Sequence, residues 1–217
     1  MWTCIAAPAI RVLFVGNSLT TVNNLPELVQ RLAAAGNQKF EYRIVAFDGY
    51  SLEDHWNRGD ARRAIAEGGW SYVVLQQGPS ALPESRVLLI DYARRFASEA
   101  RRVGAEPALY MVWPTRERRG DVDGVRYSYE SAAKETHALL LPVGEAFRAA
   151  QRADARVRLF GADGFHPTMA GSFLGALVMF ETMFGARAPA LIPPGVTPED
   201  NRVLRSASEA VVKRVAR

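Results

Sequence analysis

Ile10-Arg11-Val12-Leu13-Phe14-Val15-Gly16-Asn17-Ser18-Leu19-Thr20 decides the fold. Its apolar run at 12–15 has the length of a strand and stops at Gly16, Asn17 and Ser18. A short apolar run bounded by glycine and small polar residues reads as a strand buried on both faces, as in a parallel sheet. Such a strand delivers its last residues to the carboxyl edge of the sheet, where α/β proteins do their chemistry. At this point Ser18 has two readings, a reactive hydroxyl at that edge or the cap of the helix that follows, because serine is a favoured N-cap residue.

Outward from this stretch, helical spacing alternates with strand-like runs. Leu25, Leu28, Val29 and Leu32 mark a helix over 25–35 that stops before Gly36. Residues 42–47 form a second expected strand ending in Asp48-Gly49-Tyr50, and 52–67 is polar and partly helical. A third strand at 72–75 leads into Gln76-Gln77-Gly78-Pro79-Ser80. Leu89, Tyr92, Ala93, Phe96, Ala100 and Val103 recur at three and four, one face of a long helix over 83–103. A strand at 108–112, a charged loop through Gly124, a helix at 125–136, a fifth strand at 138–141 and a helix at 145–152 follow. Asp163-Gly164-Phe165-His166-Pro167 precedes an apolar helix ending near Gly185, and Thr197-Pro198-Glu199 opens the last helix. Strands alternating with helices imply a parallel sheet covered on both faces by right-handed crossovers. The expected architecture is a three-layer α/β/α, flavodoxin-like sandwich with a five-stranded parallel sheet, in a single domain over 1–217.

Composition narrows the function. The net charge of +4 is spread along the chain, and pairs such as Arg62-Arg63 and Arg101-Arg102 sit on amphipathic helices. That is the pattern of solvated helix faces, so no nucleic-acid partner is expected. Cys4 is the only cysteine, which rules out an intrachain disulfide. The first ten residues lack the basic and apolar regions of a secretory signal, so a cytoplasmic location is expected. The most apolar segment, 169–184, is interrupted by Ser172, Glu181 and Thr182 and falls short of the roughly 20 residues of a membrane span. It reads as a core helix. Glu117, Asp121 and Asp123 are loop carboxylates without histidines at metal-ligand spacing, so neither a metal nor another cofactor is expected.

The segments that follow the strands of a parallel sheet gather at one edge, which would bring Ser18, Gly49, Gln77 and the 163–166 loop together. Ester hydrolysis through a serine needs a hydroxyl, a base for its proton, a group that orients the base, and donors for the oxyanion. Each has a candidate here. Gly16-Asn17-Ser18-Leu19 near the amino terminus, Gly49 after the second strand, and Asp163-Gly164-Phe165-His166 near the end resemble, in order, blocks of the SGNH subgroup of the GDSL hydrolases. Asn17 stands where Asp is commoner. The third block departs from the usual Gly-x-Asn-Asp; Gln76-Gln77-Gly78 is similar instead to the Gln-Gly-Glu variant of sialic-acid and carbohydrate acetylesterase branches, with Pro79 in place of Glu. The resemblance implies a serine esterase with Ser18 as nucleophile, His166 as base and Asp163 as its orienting partner. It implies an oxyanion hole made by the Ser18 and Gly49 amides and the Gln77 side chain. Glutamine carries the same amide as asparagine on a longer stem. The third-block register leaves Gln76, Gln77 and Ser80 as alternatives for the side-chain donor.

Each of these residues also has an ordinary reading. Asp163 can cap a turn and Gly49 can simply reverse the chain. His166 competes with His55 and His137, both in expected helical segments. The resemblance implies short acyl esters as substrates, acetyl groups on a small molecule or carbohydrate. Leu19, Tyr50, Trp113 and Phe165 are candidate walls of the acyl pocket, although aromatic residues at strand ends are often core. The Arg- and Glu-rich loop 115–124 is either a rim or a solvated connection. Two other functions are compatible with the fold: an acyltransferase on the same site, and a flavodoxin-like module that holds a phosphate at a helix amino terminus. Against the latter, Gly16 opens neither a Gly-x-Gly-x-x-Gly nor a Gly-x4-Gly-Lys pattern. The Gly-x-Ser-x-Gly elbow of α/β-hydrolases is missing too.

Overall fold

The computed structural model of the chain describes residues 9–215. Cys4 and the residues at 1–8 that bear on a secretory signal lie outside them. Five strands, β1 (Ile10–Gly16), β2 (Phe40–Ala46), β3 (Tyr72–Leu75), β4 (Glu106–Tyr110) and β5 (Leu139–Leu141), form one sheet in the order β2-β1-β3-β4-β5. Every pairing is parallel, with Val12 opposite both Tyr42 and Tyr72. β1 lies inside the sheet between β2 and β3, and its Val12, Leu13, Phe14 and Val15 are fully buried, as a strand covered on both faces requires. β2 lies at an edge, and its burial alternates accordingly.

Two groups of helices cover the sheet. On one face α2 (Leu25–Ala35) packs on α8 (Met169–Phe184), which also contacts α7 (Val143–Ala153) and α9 (Pro198–Val215). On the other, α5 (Pro83–Arg102) contacts α3 (Leu52–Arg58), α4 (Asp60–Ala66) and α6 (Val122–Thr136). α8 is buried nearly all round, as its uniformly apolar sequence demands. No helix among the described residues is long and apolar enough to cross a membrane.

The expected α/β/α sandwich with a five-stranded parallel sheet is the fold. The differences are local. The stretch 52–67 resolves into two helices because Gly59 takes a left-handed φ of 87° between them. β2 and β4 each begin two residues earlier than the apolar runs suggest, because the parallel ladder sets their ends. Thus Glu106, exposed and charged, still pairs with Tyr72. α7 likewise starts at Val143.

The strand order determines where a ligand can sit. From β1 the chain crosses to β2 on one side, whereas β3, β4 and β5 run on to the other side. At such a switch point the connections diverge and leave a crevice beyond the carboxyl ends of the strands. The segments leaving β1 and β3 flank it, and these begin with Asn17-Ser18 and Gln76-Gln77.

Candidate active site

After β1 the chain turns sharply into a one-turn helix, α1 (Ser18–Thr21), capped by Asn17. The Asn17 side-chain oxygen accepts from the Leu19 amide at 3.1 Å, and its Nδ2 donates to the Tyr50 carbonyl at 2.9 Å. One side chain therefore ties the Ser18 turn to the 48–50 turn after β2. Gln76 holds the same turn from below. Its Oε1 accepts from the Asn17 amide at 2.9 Å and from the Thr20 hydroxyl at 2.8 Å, and its Nε2 donates to Asn17 Oδ1 at 3.0 Å and the Gln77 carbonyl at 2.9 Å. Both lone-pair sites and both amide hydrogens are engaged, with the side chain fully buried. Gly16 makes room for it: a Cβ there would lie 2.5 Å from Gln76 Oε1 and from Thr20 Oγ1. The buried His55 adds a third support, 2.7 Å from the Gly16 carbonyl through Nε2. Burial pulls its pKa down, so the neutral ring with its proton on Nε2 is the donor.

This framework presents the Ser18 hydroxyl 2.9 Å from His166 Nε2. On the other side of the ring, Nδ1 lies 2.5 Å from Asp163 Oδ2. The second oxygen of Asp163 accepts the amides of Phe165 and His166, each at 3.0 Å. Asp163 thus does both things expected of it: one oxygen caps the turn and the other meets the histidine. These partners, the Phe165 amide first and the His166 ring next, hold its carboxyl down at about 2. An ionised Asp163 fixes the proton on Nδ1 and leaves Nε2 as the acceptor that faces Ser18. The His166 side chain is 38% exposed, so the pair is open to a reactant from solvent.

Ser18 and His166 lie in a cavity of about 650 Å³ that Gly49, Tyr50, Gln77 and Phe165 also line. Gly49 has a left-handed φ of 73°, and the space where a Cβ would stand is empty. Neither the Ser18 nor the Gly49 amide has a hydrogen-bond acceptor among the described residues. Of the three alternatives in the third block, Gln77 and Ser80 line this cavity and Gln76 does not. Gln77 Oε1 accepts from the Leu52 amide at 3.1 Å, and Nε2 donates to Ser80 Oγ at 2.8 Å. That leaves one amide hydrogen of Gln77 without a partner among the described residues. Ser80, at a left-handed φ of 56°, donates its own proton to the Gly78 carbonyl at 3.1 Å. The buried Tyr129 fixes the segment from beneath through the Gln77 and Gly78 carbonyls at 2.9 and 3.0 Å.

All five residues expected at the sheet edge, Ser18, Gly49, Gln77, Asp163 and His166, are brought together. Of the four expected walls, Tyr50 and Phe165 line the cavity. Leu19 turns into the core, and Trp113 stacks on Phe147 with centroids 3.7 Å apart. Trp113 still serves the site indirectly, because its indole N–H donates to the Phe165 carbonyl at 2.9 Å. The 115–124 loop contains a 3-10 helix (Arg116–Asp121) and does not line the cavity around Ser18. Asn17, Gln76 and His55 support the Ser18 turn, a role the sequence does not suggest: Gln76 is there an alternative oxyanion donor and His55 a rival base. The adjacency of Asn17 to Ser18 was the available signal; nothing in the sequence pointed Gln76 or His55 at the turn.

No family model and no curated protein matches the chain. Solved structures do. A protein described as a candidate SGNH hydrolase, from Slackia heliotrinireducens, is 32% identical over 81% of this chain and 100% of its own, with a TM-score of 0.71. A DUF4886 family protein from Bacteroides uniformis shares 16% identity over 95% of each chain, with a TM-score of 0.82. A lipase/acylhydrolase from Enterococcus faecalis shares 14% identity over 84% of this chain and 100% of its own, with a TM-score of 0.66.

Proposed function

This chain belongs to the SGNH hydrolases, and from that premise we propose that it is an esterase that cleaves short-chain acyl esters, acetyl esters foremost, through an acyl-enzyme on Ser18. His166 Nε2 takes the Ser18 proton as the hydroxyl oxygen attacks the ester carbonyl. Asp163 holds the imidazolium that forms. The charge that develops on the carbonyl oxygen meets the Ser18 and Gly49 amides and the unengaged Gln77 amide hydrogen, donors fixed before the reaction begins. His166 then returns its proton to the leaving alcohol, and the acyl-enzyme is hydrolysed by a water that His166 deprotonates.

The observation that carries this reading is the line from Ser18 Oγ through His166 to Asp163, at 2.9 and 2.5 Å, at the switch point of the sheet. A rim bearing Asp48, Ser51 and Ser85 suits a hydroxylated alcohol portion such as a sugar. Hydrolysis of p-nitrophenyl esters of rising chain length, and of acetylated sugars, tests the reading. Turnover that is highest for acetyl and absent from Ser18→Ala and His166→Ala variants with unchanged melting temperatures is expected. Turnover retained in either variant would overturn it.

A further inference from the structure

Behind the loop that carries Asp163 and His166 lies a second cavity, of about 380 Å³, with a different chemical character. Four arginines line it, Arg116, Arg119, Arg148 and Arg152, and no carboxylate does. Its floor is the stacked pair Trp113 and Phe147. Among the described residues 13 arginines have a carboxylate within 4 Å. In this cavity Arg148 alone does, through Asp123 at 2.8 Å, with Glu145 at 3.7 Å. Arg116, Arg119 and Arg152 have no carboxylate partner among the described residues. Asp123, which pairs with Arg148, also lies within electrostatic reach of Arg152, so one carboxylate serves two of the four guanidinium groups and the balance around the concavity stays positive over its apolar floor.

The groups come from separate elements. Arg116 and Arg119 belong to the 3-10 helix after β4, and Arg152 to the last turn of α7. Arg119 and Arg152 are exposed and hold no hydrogen bond among the described residues. Arg116 is anchored to the catalytic loop: its amide donates to the Gly164 carbonyl at 2.8 Å and its Nη2 to the Gly161 carbonyl at 3.2 Å. We propose that this cavity is an anion site for a tetrahedral dianion, phosphate either free or as the end group of a monoester, held by Arg119 and Arg152 with Arg116 beside them. Guanidinium forks match tetrahedral oxyanions and bind them through paired, charge-assisted hydrogen bonds. The site is distinct from the cavity around Ser18, with which it shares no lining residue, and it stands whatever chemistry Ser18 performs.

Calorimetric titration of the full chain with inorganic phosphate, and in parallel with glycerol 3-phosphate, tests this against potassium chloride at matched ionic strength. Saturable binding of phosphate is expected, at least about tenfold weaker in the Arg119→Gln/Arg152→Gln double variant. The ratio of the two affinities tells a free phosphate from a monoester. Arg202→Gln, which removes an exposed charge of α9 outside the cavity, should leave the affinity unchanged. Arg119→Lys with Arg152→Lys keeps the charge without the fork and should fall between the parent and the glutamine variant. No saturable heat beyond that of chloride, or equal binding by the parent and the double glutamine variant, would overturn the proposal. Equal weakening by Arg202→Gln would do the same, since it would make the effect one of net charge.

Discussion

Replacing Gln76 with alanine should cost stability before it costs chemistry. The side chain is fully buried and makes four hydrogen bonds, to the Asn17 amide, the Thr20 hydroxyl, Asn17 Oδ1 and the Gln77 carbonyl. At about 1 kcal/mol net for each bond, the truncation removes about 4 kcal/mol, and the four partners left without a bond add to the loss. In a protein of this size each kcal/mol lowers the melting temperature by roughly 2–4 °C, so a fall of roughly 8–16 °C is expected. Thermal unfolding of Gln76→Ala followed by circular dichroism measures it. Gln76→Glu keeps the shape but loses the two donors, and should also melt well below the parent. A fall of less than about 3 °C in the alanine variant would refute the argument, since one intact hydrogen bond is worth about that much. Turnover lost without any loss of stability would refute it differently, by making Gln76 the oxyanion donor in place of Gln77.

Gly49→Ala forces a side chain into a left-handed φ of 73°, at a cost of about 1–2 kcal/mol, although its methyl would meet only open space. Ester turnover should fall by about tenfold or more as the strained backbone turns its amide away from the oxyanion, whereas equal turnover in the variant and the parent would show that the left-handed glycine conformation is not what aims that amide. Glu181, 5% exposed inside α8, has its carboxyl pushed up by burial, against the hydrogen bonds from Ser208 and the Ala188 amide. A raised folded pKa means that its contribution to stability is largest below the unfolded value of 4.5 and is lost as the pH rises through the folded value. Glu181→Gln escapes that loss, so the melting temperature of the variant relative to the parent should climb from pH 4 to pH 8; a flat or falling difference would contradict it.

Much of the arrangement could be read from the chain because it rests on local chemistry. The run at 12–15 is buried on both faces as an interior parallel strand must be, and Gly16 ends it. Asp163 and His166 are three residues apart on one turn, so their contact needs no long-range information. What escaped the sequence depends on packing between distant segments. Gln76 and Gln77 are chemically identical and adjacent, and only the placement of β3 against β1 decides which one turns under the Ser18 loop and which one faces the cavity. Trp113 follows a strand just as Tyr50 does, yet Phe147 on α7 draws it into a stack away from Ser18. His55 lies 39 residues from Gly16 in sequence, and no local pattern joins them.

Ser18 is the residue on which the proposed chemistry depends. Treatment of the full chain with a fluorophosphonate, followed by intact mass and peptide mapping, tests it directly. One phosphonyl adduct per chain, located on Ser18, absent from Ser18→Ala and formed in step with the loss of esterase activity, is the expected result. Full esterase activity in a chain that carries the adduct, or an adduct on another residue accompanied by that loss, would contradict it.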